Sequence, residues 1–141
     1  MLFGQNRDEL RRFYIECWRK YREKRPLQPL EVQVAEVVAL HPEYHALLED
    51  EEQAIGQEFS AENGRGNPFM HMGMHLGLRE QISTDRPAGI RAIHAALQRK
   101  IGDAHEAEHR MMECLGQAMW EAQRSGMPPN EENYLECLRR L

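Results

Sequence analysis

The chain has 141 residues, a hydrophobic content of 41% and a net charge of −5, which predicts one domain over residues 1–141 with a single core. No apolar run approaches the roughly 20 residues that a membrane-spanning helix needs, and the first residues lack the apolar segment of a signal peptide. The acidic balance also argues against an ordinary nucleic-acid-binding protein.

Capping signals and apolar spacing predict helices in the first half of the chain. Asn6 followed by Glu9 forms a capping-box pattern that opens the first helix. Pro29 suits the first turn of the second helix. A short acidic helix is expected over residues 42–53, and the longest loop over residues 56–67.

The second half carries clearer helix starts. Asn67 is expected to cap a helix that ends near Ile82, and Asp85, Asp103 and Asn130 should open three more. No convincing set of alternating strands is present. The sequence therefore predicts an all-α, single-domain helical bundle of five to seven helices.

Histidine spacing is the one pattern that indicates chemistry. Six of the seven histidines form H-x-x-x-H pairs, namely His41/His45, His71/His75 and His105/His109. On a helix, residues four apart lie on one face with about 5–6 Å between Cβ atoms, a distance that a single metal ion can bridge. Short connections should place the second and third pairs in the opening turns of parallel helices. We therefore predict a metal site formed by His71, His75, His105 and His109.

The expected ion is divalent: zinc, or else iron or manganese. The positive end of a helix dipole favours neutral imidazole, which is the form that binds metal. Three histidines with water in the fourth position is the favoured arrangement for zinc. Iron or manganese would also take carboxylates, and Glu106, Glu108 and Glu113 are the candidates. An ordinary set of hydrogen-bonded core histidines remains an open alternative, and no catalytic residue or reaction is assigned.

Cysteine usage suggests a reducing environment. The three cysteines, Cys17, Cys114 and Cys137, are odd in number and far apart in the sequence. No disulfide is expected, and Cys17 and Cys114 should be reduced and at least partly buried. A cytoplasmic location fits this pattern.

Charge is unevenly distributed between two segments. Residues 7–25 are rich in arginine and lysine, whereas residues 41–62 contain acidic residues and no arginine or lysine. These segments are interpreted as solvated helix faces or as mutually attracting surfaces. The alternative function is a metal-free helical interaction module, in which the basic helix or a Trp18/Tyr21 surface docks a protein partner or RNA. A homo-oligomer also remains open.

Several stretches resemble a known family. They are His-Pro-Glu-Tyr-His at 41–45, Asn-Pro-Phe-Met-His-Met-Gly-Met-His at 67–75, Arg-Glu-Gln-Ile-Ser-Thr-Asp-Arg-Pro at 79–87 and His-Glu-Ala-Glu-His at 105–109. Together they resemble short bacterial proteins catalogued as a domain of unknown function (DUF1841-like). The resemblance spans nearly the whole chain and implies a bacterial, cytoplasmic protein. It implies no activity, cofactor or catalytic residue.

Overall fold

The computed structural model describes residues 6–59 and 66–141, and in those ranges it contains eight α-helices and no strand. The predicted all-α class is confirmed, with one helix more than the upper expected number. The helices are α1 (Arg7–Arg22), α2 (Pro29–Ala39), α3 (His45–Leu48), α4 (Glu51–Gly56), α5 (Pro68–Thr84), α6 (Ile90–Ile101), α7 (Ala104–Ser125) and α8 (Glu131–Arg139). Half of the loop predicted over residues 56–67, namely residues 60–65, lies outside the described residues.

Contacts between residues divide the chain into two compact units, Met1–Gly73 and Met74–Leu141. Helix α5 contributes its first residues to the first unit and the remainder to the second. The expectation of a single domain over residues 1–141 stays a prediction. Among the described helices, none combines the length and the apolar character that crossing a bilayer requires.

The core of the first unit is formed mainly where α1 packs on α2. Helix α2 is a helix despite its valines, since Pro29 occupies its first turn and the Glu31 carboxylate accepts a hydrogen bond from the backbone of Gln28 at 2.7 Å. The apolar stripes of the two helices bury Tyr14, Ile15, Cys17, Trp18, Val34, Ala35, Val37 and Val38.

The acidic segment folds differently from the prediction. The prediction of a single helix over residues 42–53 is wrong, because the chain forms a 3-10 turn at Pro42–Tyr44 and then two short helices, α3 and α4. The side chain of Asp50 accepts a hydrogen bond from the backbone of Gln53. Asp50 thus caps a new helix instead of continuing the preceding one.

The basic and acidic segments of the first unit attract each other, as one interpretation proposed. Arg7 Nη1 lies 2.9 Å from a carboxylate oxygen of Glu58, and Trp18 donates a hydrogen bond of 3.0 Å to Glu49. Trp18 is only 6% exposed, although Tyr21 is 47% exposed. The predicted role of Trp18 in a docking surface is therefore wrong, because its ring belongs to the core.

Helices α6, α7 and α8 pack together in the second unit. The expected helix start at Asp85 is displaced to Ile90, because the Asp85 carboxylate accepts hydrogen bonds from the backbones of Gly89 and Arg91 and holds a turn. Gly89 has a φ of +100°, which glycine adopts without steric cost. The core includes Leu78, Ile90, Leu97, Ala107, Met111, Leu135 and Leu138.

Cysteine pairing is the main correction to the sequence analysis. Cys114 and Cys137 form a disulfide, so the expectations of no disulfide and of a reduced Cys114 are wrong. Helix α8 packs on α7, which brings the two Cα atoms within 5.8 Å although 23 positions separate the residues. Cys17 is free and fully buried, as predicted. The cysteines therefore no longer argue for a reducing compartment.

Buried Arg11 connects α1 to the end of α4. Its Nη1 donates hydrogen bonds to the carbonyl oxygens of Ala54, Ile55 and Gln57 at 3.0, 3.1 and 2.8 Å. Carbonyl groups at the end of a helix lack hydrogen-bond donors within the helix. The Arg11 guanidinium supplies the donor for these groups. The Cζ atom of Arg11 also lies 5.0 Å from the ring centroid of Phe69.

We predict that Arg11→Ala lowers the free energy of unfolding by about 2–4 kcal/mol, because several buried carbonyl groups lose a charged donor. Urea denaturation followed by circular dichroism measures this loss. Arg12→Ala is the matched control, since Arg12 is exposed on the same helix, and its effect should stay within about 0.5 kcal/mol. Equal losses in the two variants would contradict the assigned role of Arg11.

Candidate metal centre

Helix α7 carries two histidines of the site in its opening turns. The Asp103 side chain accepts a hydrogen bond from the Glu106 backbone at 3.0 Å, which starts the helix where the sequence predicts it. His105 and His109 then lie one turn apart, and their ring centroids are 4.2 Å apart. The i,i+4 spacing of the motif thus brings two imidazoles together on one face.

Helix α5 supplies the third histidine. His75 lies in the part of α5 that belongs to the second unit, and its side chain is fully buried. Its ring is stacked on that of His105, with centroids 5.0 Å apart, and lies 4.9 Å from the ring of His109. Two helices of one unit therefore bring three imidazoles together.

The three rings have the spacing that a metal ion needs. Each of His75, His105 and His109 offers a nitrogen, and these atoms lie no more than 4.8 Å from one another. Two zinc–nitrogen bonds of about 2.1 Å span at most about 4.2 Å. The most distant pair of nitrogens would thus have to approach by at least about 0.6 Å, which is within reach of small side-chain rotations.

A buried carboxylate fixes the orientation of His75. Its Nδ1 donates a hydrogen bond of 2.7 Å to Glu108 Oε1, and Arg79 Nε donates to the same oxygen at 3.3 Å. Since an ionised carboxylate can only accept, the proton of His75 sits on Nδ1. In the neutral form of this imidazole the lone pair is on Nε2, the nitrogen that can bind a metal.

The ionisation of Glu108 follows from these contacts. Burial by itself raises the pKa of the carboxyl group, but the hydrogen bond from His75 and the charge of Arg79 outweigh burial and hold the pKa below its usual value. Glu108 is thus a carboxylate at neutral pH. Glu108 was predicted as a possible metal ligand, but its carboxylate instead accepts a hydrogen bond from His75.

The remaining histidine of the predicted set, His71, belongs to the first unit. There the ring of His71 meets the ring of His41 edge-on, with centroids 5.0 Å apart. His41 is itself buried, and its Nδ1 lies 2.7 Å from the carbonyl oxygen of Val37. His45 makes a similar contact with the carbonyl oxygen of Val38. The place of His71 among the metal ligands stays a prediction.

Sequence reasoning missed the ion pair beside His75. Arg79 lies four positions after His75, and Glu108 lies three positions after His105, so each falls on the histidine face of its own helix. This periodicity was a usable signal for placing the two charges near the site. It did not reveal that His75 and Arg79 would both donate to the same oxygen of Glu108.

Comparison with known families identifies the family of this chain. A family model described as "Domain of unknown function (DUF1841)" matches residues 6–140. The chain belongs to this family. No curated protein and no solved structure gives a significant match. The resemblance carried by the histidine-containing stretches is thus confirmed.

We predict that Glu108→Gln lowers the free energy of unfolding of the metal-free protein by about 1–2 kcal/mol, since Arg79 loses its charged partner and His75 keeps only a neutral acceptor. Denaturant unfolding in the presence of a chelator measures the change. Glu113→Gln is the control, because Glu113 is exposed on the same helix. A loss as large in the control would show that the Glu108 pair contributes nothing specific.

Proposed function

We propose that the protein binds one divalent metal ion through His75, His105 and His109. The observation that carries the proposal is the convergence of the three imidazoles, whose nitrogens lie within 4.8 Å of one another. Zinc is the first candidate, because three neutral imidazoles form one of its common ligand sets. Iron and manganese are the alternatives, although the Glu108 carboxylate already accepts a hydrogen bond from His75.

The contact between His75 and Glu108 supports this proposal independently of the spacing. Histidines that bind metal commonly donate their second ring N–H to a carboxylate, which fixes the tautomer and makes the other nitrogen a better ligand. The 2.7 Å hydrogen bond to Glu108 has this form. An ordinary core histidine needs only a neutral partner, so a buried carboxylate backed by Arg79 favours the metal-binding interpretation.

Three histidines leave a fourth coordination position. If water fills it, the ion would lower the pKa of that water and produce a hydroxide nucleophile near neutral pH. The reaction class within reach of such a centre is hydrolysis or hydration. If His71 fills the position, the site is closed and serves structure. We further propose a bacterial, cytoplasmic protein, on the strength of the family resemblance.

Elemental analysis of the purified, untagged protein tests the proposal. We expect close to one equivalent of zinc, iron or manganese per chain, and its loss in His75→Ala, His105→Ala and His109→Ala. His94→Ala is the matched control: it removes a half-buried histidine of the same unit that lies outside the cluster, and its metal content should be unchanged. A wild-type protein without metal would favour the metal-free interaction module.

His71→Ala decides between an open and a closed site. Retention of metal with an affinity near that of the wild type indicates three protein ligands and an exchangeable fourth position. Loss of metal in this variant indicates that His71 is the fourth ligand, as the sequence predicts. Each result leaves the three-histidine cluster in place and assigns the fourth position.

The effect of the metal on the stability of the folded protein can be measured after the metal is removed. After chelation, adding back zinc at about 100 times its dissociation constant should stabilise the folded state by about 2.7 kcal/mol, because the ion binds only that state. The increase in melting temperature measures this effect, and it should vanish in His109→Ala. The same increase in both proteins would indicate zinc binding elsewhere on the chain.

A further inference from the structure

The disulfide of the second unit lies at a cleft that opens to solvent. The cleft has a volume of about 280 Å³ and is lined by both cysteines. Cys114 is only 2% exposed, whereas Cys137 is half-buried. Cys137 is therefore the more exposed of the two cysteines at this cleft.

Helix α8 does not depend on this bond for its position. Tyr134, Leu135 and Leu138 bury their side chains in the core of the second unit. The Tyr134 hydroxyl also donates a hydrogen bond of 2.7 Å to the Gln81 side chain, and Lys100 Nζ donates to the carbonyl oxygen of Leu141 at 2.8 Å. The disulfide can therefore open while α8 remains packed on α7.

We propose that Cys114 and Cys137 are a reversible redox pair that exchanges with low-molecular-weight peptide thiols and disulfides, the chemical class of glutathione. The proposal rests on the more exposed Cys137, the buried partner Cys114 and the independent anchoring of α8. It does not depend on the metal centre, so either proposal can fail without the other.

The exchange follows ordinary thiol–disulfide chemistry. In the reduced protein, the Cys137 thiolate attacks one sulfur of the peptide disulfide, whose S–S bond breaks and releases one peptide thiolate. The Cys114 thiolate then attacks Cys137 Sγ and releases the second peptide as a thiolate. The two protein thiols lose two electrons and two protons, and the peptide disulfide takes them up as two thiols.

The lining of the cleft is polar and carries charges of both signs. Side-chain amides of Gln117 and Asn133 and the guanidinium of Arg140 lie around the cysteines. The carboxylates of Glu121 and Glu136 line the same cleft, where Glu121 accepts a hydrogen bond of 2.8 Å from Gln117 and Glu136 lies 3.5 Å from Arg140 Nε. Amides and a guanidinium can donate hydrogen bonds to the carboxylate and peptide groups of such a thiol. In a compartment rich in reduced peptide thiol the pair would rest as a dithiol, which reconciles the bonded cysteines with a cytoplasmic location.

The test equilibrates the native, full-length protein with reduced and oxidised glutathione in graded ratios. After acid quenching and alkylation, mass spectrometry counts the free thiols. We expect two thiols per chain to appear as the reduced form increases, with the same curve when the titration starts from either end. The far-ultraviolet circular dichroism should stay unchanged, since α8 remains in place.

Single substitutions test the order of attack. In Cys114→Ser, the half-buried Cys137 should accumulate a stable mixed disulfide with glutathione, because no second thiol resolves it. In Cys137→Ser, the buried Cys114 should react at least about tenfold more slowly, because access limits exchange. Cys17→Ser is the control: Cys17 is fully buried, burial raises the pKa of its thiol to about 12, and the redox curve should not move.

Two results would overturn the proposal. Reduction by glutathione only after the protein is unfolded would make the disulfide a closed structural cross-link. Equal rates of adduct formation at Cys114 and Cys137 would remove the distinction between attacking and resolving cysteines. If a serine variant fails to fold, the reversible titration of the wild-type protein decides the question by itself.

Discussion

The hydrogen bond from His75 to Glu108 is the interaction on which the candidate site depends. It joins a fully buried imidazole to a nearly buried carboxylate, and each group would be costly to bury alone. The bond also determines which nitrogen of His75 carries the proton. Arg79 completes the group, because its Nε lies 3.3 Å from the same carboxylate oxygen and balances the charge of Glu108.

Helix capping organises the rest of the fold in a similar way. Asn6, Asp50, Asp103 and Asn130 each accept a hydrogen bond from the backbone of the following turn. Each cap satisfies donors that would otherwise lack partners and thereby sets the residue at which the helix begins. The Asp103 cap also bears on the candidate site, because a helix that begins at Ala104 includes both His105 and His109, whose i,i+4 side chains then share a face.

The distribution of charge in the first unit bears on what its surface can do. Two basic residues of α1 pair with the acidic segment that follows α2, namely Arg7 with Glu58 at 2.9 Å and Arg22 with Glu49 at 4.0 Å, while Lys20 pairs with Glu31 of α2. Exposed pairs of this kind contribute little stability individually. They nevertheless use cationic groups that an acidic partner or RNA would need, and Trp18 is enclosed between Tyr21 and His45. This unit therefore offers less support for an interaction module than its sequence suggests.

The sequence by itself determined the helical class, the helix starts at Asn6, Asp103 and Asn130, and the pairing of His105 with His109. These features are local, since a cap or an i,i+4 pair is decided within one or two turns of the same chain segment. Tertiary packing decided the disulfide between Cys114 and Cys137 and the shared carboxylate of Glu108. Such contacts join residues 23 or more positions apart, and no local periodicity records which faces of two helices will meet.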